Sequence, residues 1–167
     1  MTTAICPGSF DPVTLGHMDI ISRACKIFDH VIVSVSVNPK KISLFSMKER
    51  VKLLNLAAQE MGLNVEIAEM KGLLAYYAKE RGVNTVVKGL RAMTDFEYEF
   101  QMALTNKKLN PELETMFLTT SGENMFLSSS MVKQVAAFGG DISHFVPACI
   151  SQTIIDRFKT GGIGYEQ

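Results

Sequence analysis

The sequence predicts an α/β fold: one domain built on a doubly wound, parallel, five-stranded sheet. Three observations carry that prediction. Short stretches rich in β-branched residues alternate with stretches of helical periodicity along the whole chain. At 167 residues the chain is long enough for one sizeable core. No repeat, low-complexity segment or long linker interrupts it. Strands that alternate with helices pair in parallel, and the helical crossovers cover both faces of the sheet.

The elements follow in order. "TAIC" (3–6) reads as the first strand, and a helix is expected over about 16–28. "HVIVSVSV" (30–37) is the second strand. Ser46 with Glu49 three residues on forms a capping box, and Met47, Val51, Leu54, Ala58 and Met61 recur at helical spacing behind it. "NVEIAE" (64–69), "NTVVKG" (84–89) and "LETMFLT" (113–119) are the remaining strands. Helical patterns cover about 72–81, 94–109, 128–138 and 147–159. The domain is expected to span 1–160, with the glycine-rich residues 161–167 as a flexible tail.

Composition excludes several classes. The 17 basic and 17 acidic residues cancel, so the chain has no global field for nucleic acid, and any anion must be held locally. No apolar run approaches the ~20 residues of a membrane span, and the N-terminus lacks a signal-peptide pattern. Cys6, Cys25 and Cys149 are odd in number and lack metal-ligand spacing. A reducing, cytoplasmic location is the expectation, without membrane or nucleic-acid partners.

In such a sheet, ligands bind beyond the carboxyl ends of the strands, where the strand order reverses. The turns after strands one and four are therefore the places to search. No G-x-G-x-x-G follows the first strand and no G-x-x-x-x-G-K-[ST] occurs, which removes dinucleotide dehydrogenases and P-loop NTPases. "PGSFDPVTLGH" (7–17) stands there instead. Gly8 permits close backbone approach to a ligand, Pro12 stiffens the turn, and Gly16 and His17 begin a helix whose free N–H groups favour anions. Lys40 and Lys41 follow strand two; Lys88, Gly89 and Arg91 follow strand four. Asp95, Glu99, Met102 and Asn106 share one helix face, for which a solvated face is the plainer reading. Ser128, Ser129 and Ser130 open a helix, and one N-cap accounts for only one of them.

"GSFDPVTLGH" resembles the T/H-x-G-H signature of the nucleotidylyltransferase superfamily, here Thr14-Leu15-Gly16-His17. "LSSSMVK" (127–133) is similar to its second signature. With "VKGLRAMTDFEYEFQMALTNKKLNPELE" (87–114) the resemblance becomes specific: residues 2 to about 159 resemble the bacterial phosphopantetheine adenylyltransferase family. The resemblance implies a Rossmann-like fold and the reaction of ATP with 4'-phosphopantetheine to give dephospho-coenzyme A and pyrophosphate. It also implies Mg2+, a homohexamer and coenzyme A as a possible feedback ligand. Carried over by residue, it gives His17, Lys41 and Arg91 to catalysis. To ATP it gives Ser9, Phe10, His17, Gly89, Leu90, Arg91, Glu99, Asn124, Met125, Phe126, Leu127, Ser128, Ser129 and Ser130. To the acceptor it gives Ser9, Lys41, Leu73, Leu74, Lys88, Met102, Asn106 and Gln134, and it names no protein metal ligand. Departures from the family pattern are Lys88 and Lys133 for arginine, Ser9 for threonine, Gln134 for glutamate and Asn124 for an aromatic.

The residue types agree with that chemistry. A phosphate nucleophile is already ionised at neutral pH, so no general base is required. Positioning and charge stabilisation remain, and these call for histidine, lysine, arginine and helix N-termini. Two alternatives stay open at this point: a sister nucleotidylyltransferase with another acceptor, and a non-catalytic nucleotide- or coenzyme A-binding regulator.

Overall fold

The computed structural model describes residues 1–37 and 42–160, the side chains of Met93 and Thr94 excepted. Lys40, Lys41 and the expected 161–167 tail lie outside the described residues. The elements are β1 (Thr3–Gly8), α1 (Leu15–Ala24), β2 (His30–Val35), α2 (Met47–Glu60), β3 (Glu66–Glu69) and α3 (Leu74–Glu80). They continue as β4 (Thr85–Leu90), α4 (Met93–Leu109), β5 (Glu114–Thr119), α5 (Ser129–Ala137) and α6 (Ala148–Thr160), with a short 3-10 turn at Gly122–Asn124.

All strand pairs are parallel, in the order β3-β2-β1-β4-β5. This is the expected Rossmann-like, doubly wound sheet. Alternation along each strand divides the core. Ala4, Cys6, Val31, Val33 and Val35 join Met18, Ile21, Leu54, Val132, Ile150 and Ile154 in the larger cluster, under α1, α2, α5 and α6. Ile5, Ile32 and Val86 face the other way, onto Ala75, Tyr77 and Ala78 of α3.

The strand order reverses between β1 and β4. There the two strands are in register at Ile5–Val86, whereas β1 and β2 pair from Thr3–His30 to Gly8–Val35. β1 therefore runs two residues beyond the stretch its composition marked. Pro7 has no N–H to give, and it sits where β1 has already parted from β4. Other boundaries shift for local reasons. α1 closes at Ala24 rather than near 28, because Lys26 and Ile27 bond back three residues to Arg23 and Ala24. α3 starts at Leu74 rather than 72, since Gly72 has φ 77°, a left-handed value that no helix tolerates.

Candidate active site

The crevice at the carboxyl ends of β1 and β4 gathers the turn at 9–14 and the N-terminus of α1. The loop after β4 and the start of α5 complete it. Thr14 is the N-cap of α1, and its side chain accepts from the His17 backbone N–H at 3.3 Å. His17 closes the box: its Nδ1 accepts the Thr14 N–H at 3.0 Å. With Nδ1 used as an acceptor, the proton of the neutral ring is on Nε2, which has no partner among the described residues. Burial, then Arg91 and Lys88, push the imidazole pKa down to about 4, so the ring is neutral at physiological pH.

Phe10 supports the ring edge-on, with centroids 5.1 Å apart and planes at 72°. It is buried and holds φ 47°, in the left-handed region. Gly8 was expected to admit a ligand. Instead, a Cβ on Gly8 would lie 2.9 Å from Cζ of Phe10, so the space over this glycine belongs to the chain's own aromatic ring. Gly8→Ala is accordingly expected to cost about 1–3 kcal/mol of stability through overpacking, read as a fall in chemical-denaturation midpoint.

Arg91 holds Asp95 through both Nε (2.9 Å) and Nη2 (3.2 Å), and its Nη1 donates to the Leu127 carbonyl at 2.9 Å. It thereby ties α4 to the approach of α5. Lys88 pairs with Glu99 at 3.3 Å. The sequence reading gave these two residues to different ligands, acceptor and nucleotide; the fold makes them one ion pair. The Asp95, Glu99, Met102 and Asn106 face is not solvated. These are half-buried or buried positions, while Phe96, Tyr98, Phe100 and Leu104 on the same helix are exposed. α4 turns this face to the site and exposes Phe96, Phe100 and Leu104 along another, with Tyr98 on a flank away from those three.

The three serines separate in role. Ser128 caps α5 by accepting the Met131 N–H at 3.1 Å. Ser129 Oγ donates to the Pro12 carbonyl at 2.8 Å, fastening α5 to the first turn. Ser130 is exposed. The N–H groups of Gly16, Ser129 and Ser130 have no acceptor among the described residues, so two helix N-termini present open donors at one crevice.

Sequence reasoning passed over two buried charges here. Asp11 accepts from the Leu44 and Phe45 N–H groups, both at 2.9 Å, and from Lys133 Nζ at 3.0 Å. Arg50, on α2, donates to the Ser9 and Ser36 carbonyls. Asp-Pro within a turn was the only available signal for the first. Arg50 gave none, because an arginine on a helix reads as solvated.

The thiols are held protonated: burial first pushes Cys6 up to about 12, and burial and then Glu60 push Cys149 up to about 11. Among the described residues no group of three or more His, Cys, Asp or Glu could hold a metal ion. The carboxylates at the crevice, Asp11, Asp95 and Glu99, are each engaged by a cation.

Residues 5–135 match the model of the cytidylyltransferase-like family. The phosphopantetheine adenylyltransferase of Caldanaerobacter subterraneus subsp. tengcongensis is 52% identical over 159 residues, covering 95% of this chain and 99% of its own. That of Clostridium tetani is 53% identical over 157 residues, covering 94% and 98%. The chain belongs to the phosphopantetheine adenylyltransferase family. Its members are nucleotidyltransferases. The nicotinic acid mononucleotide adenylyltransferase of Plasmodium falciparum, complexed with NaAD, has the same fold at a TM-score of 0.65 and 14% identity, covering 95% of this chain and 94% of that one.

In this phosphopantetheine adenylyltransferase family member, the expected site residues fall into three groups. His17, Phe10, Ser9, Gly89, Leu90, Arg91, Lys88, Glu99 and Ser128–Ser129 gather at the crevice. A Cβ on Gly89 would lie 2.8 Å from Ile20 Cγ1, so that glycine also serves close packing of α1 on β4. A second group is spread between the core and the surface. Leu127 is buried in the core and can offer a ligand only its backbone, whose carbonyl Arg91 already takes. Leu74 packs against the smaller core, whereas Leu73 is exposed. Asn124 bonds Ser121 Oγ at 2.9 Å and stands beside Gly16. Asn106 is buried, Met102 half-buried, and Met125, Phe126 and Gln134 are exposed. Lys41 lies outside the described residues. No described helix is long and apolar enough to cross a membrane.

Proposed function

We propose that this chain transfers the adenylyl group of ATP to 4'-phosphopantetheine, forming dephospho-coenzyme A and releasing pyrophosphate in coenzyme A biosynthesis. The observation that carries the chemistry is His17: a neutral imidazole fixed through Nδ1, with its Nε2–H uncommitted, between two open helix N-termini and beside Arg91 and Lys88. A phosphate oxygen of the acceptor attacks the α-phosphorus of ATP. The bond from that phosphorus to the β-phosphate oxygen breaks, and pyrophosphate leaves. Negative charge grows on the α-phosphate oxygens during transfer, where the His17 donor and the helix N–H groups stabilise it. Mg2+ is read as part of the substrate, MgATP, because the site carboxylates are committed to cations. Pyrophosphate release measured with ATP and each candidate acceptor tests the reading. 4'-Phosphopantetheine should be consumed, and nicotinate mononucleotide or glycerol phosphate should not. Release with neither would favour the non-catalytic regulator.

The ammonium of Lys88 serves the acceptor phosphate, and its pairing with Glu99 means that the two ligands share one electrostatic element. Lys88→Met is expected to weaken 4'-phosphopantetheine by ~1.5–3 kcal/mol, and Lys88→Arg to be tolerated. Glu99→Ala should then shift acceptor affinity as well as the ATP term, since it frees the ammonium. Titration calorimetry with each substrate alone reads both, and an unchanged acceptor term would remove Lys88 from that site.

The exposed stripe of α4 made by Phe96, Phe100 and Leu104 fits a second copy of the chain, and a homohexamer in the cytoplasm is the assembly we favour. Coenzyme A, which carries both substrate moieties, is the feedback ligand we assign to the same crevice. Sedimentation of Phe100→Asp/Leu104→Asp against wild type tests the interface. Unaltered assembly would place it elsewhere.

A further inference from the structure

The geometry points to Arg50 as a positioning residue: it holds the Ser9–Phe10 peptide so that the Phe10 N–H is presented to the phosphates of the nucleotide. This rests on the adenylyltransferase reading above. Arg50 is 2% exposed, deep for a side chain that stays charged. No carboxylate pairs with it among the described residues: Glu49 takes Arg157, and Asp11 takes Lys133. Its Nη1 instead donates to the Ser9 carbonyl at 2.7 Å and the Ser36 carbonyl at 2.8 Å, while its Nε has no partner among the described residues. A buried cation with so incomplete a set of partners is costly to keep, and packing alone could be met by an apolar residue.

What the guanidinium supplies is direction. The Ser36 N–H and Oγ already hold the Gly8 carbonyl, at 2.9 and 3.3 Å. Arg50 adds the next carbonyl and joins the exits of β1 and β2 beneath the turn. A peptide unit is planar and trans, so fixing the Ser9 carbonyl toward Arg50 aims the Phe10 N–H the opposite way. That N–H has no acceptor among the described residues, and Phe10 sits at φ 47°, a backbone setting that persists only when its surroundings enforce it. The ring of the same residue meets His17. One peptide thus ties a buried cation, an open donor and the proposed catalytic imidazole together.

Arg50→Lys keeps the charge, but its side chain ends one bond short of Nη1, the single atom that reaches both carbonyls. It is expected to lower kcat on the order of 100-fold through misplaced geometry, with substrate KM values changed much less. The rate is taken per folded molecule, well below the variant's melting temperature. Independently of any variant, the Phe10 amide resonance of isotope-labelled wild-type protein should move downfield on addition of MgATP, without acceptor. A Phe10 amide indifferent to MgATP overturns the proposal, as does full kcat in Arg50→Lys. Formation of dephospho-coenzyme A by wild type is scored separately, so failure of the overall activity and failure of the Arg50 role remain distinct.

Discussion

Replacing His17 with alanine is expected to lower turnover ~100- to 1000-fold while moving ATP affinity far less, the signature of a donor used in the transition state. Alanine also opens the capping box, because His17 Nδ1 accepts the Thr14 N–H at 3.0 Å. His17→Gln separates the two effects. Glutamine at the third helical position can accept the same N–H, so the cap survives while the imidazole is lost. Both variants should therefore be slow, and alanine alone should be less stable, by about 1 kcal/mol. Near-normal turnover in either would leave His17 as a cap and nothing more. The ring also gives a pH signature. Its folded pKa, about 4, lies below the ordinary value of 6.5. Between those values the unfolded chain binds the proton and the folded one does not, so this contribution to stability is present above 6.5 and is lost as pH falls toward 4. Denaturation of wild type and His17→Gln across that window reads it: wild type should lose more stability on acidification.

Asp11→Ala is expected to be the most destabilising single change at the site, by about 3–5 kcal/mol in chemical denaturation. The carboxylate is buried and serves three donors at once: the Leu44 and Phe45 N–H groups and Lys133 Nζ. Its removal leaves a cation and two amides without an acceptor. Lys133→Met should be milder, since the carboxylate it leaves without a cation keeps both N–H groups. In Asp11→Ala/Lys133→Met, the cost should be clearly less than the sum of the two single changes. Additivity would mean that the 3.0 Å pair does no joint work.

Both predictions depend on contacts that differ in how far the sequence discloses them. The strands and helices were legible because burial on alternating faces and helical spacing are written locally, as in Val31, Val33 and Val35 against Ile32. The capping residues Ser46 and Ser128 were visible for the same reason: each bonds three residues away. Asp11 and Arg50 were not, because their partners are 33, 34 and 122 positions off for Asp11 and 14 or 41 for Arg50. Spacing correctly put Asp95, Glu99, Met102 and Asn106 on one face of a helix. It could not say which way that face turns. The usual rule, apolar side inward, gives the wrong answer for α4, since the ligand side of this helix is the polar one.

That reversal has a thermodynamic consequence. α4 carries Lys88's partner Glu99 on one side and the exposed Phe96, Phe100 and Leu104 on another. A rigid helix cannot settle against one surface without fixing its position on the other. If a neighbouring subunit steadies α4 and so tightens substrate binding by some factor, linkage requires substrate to tighten the assembly by that same factor. The two equilibria are then one reciprocal system. Dilution should loosen the grip on substrate, and saturating substrate should hold subunits together at concentrations where the empty protein comes apart.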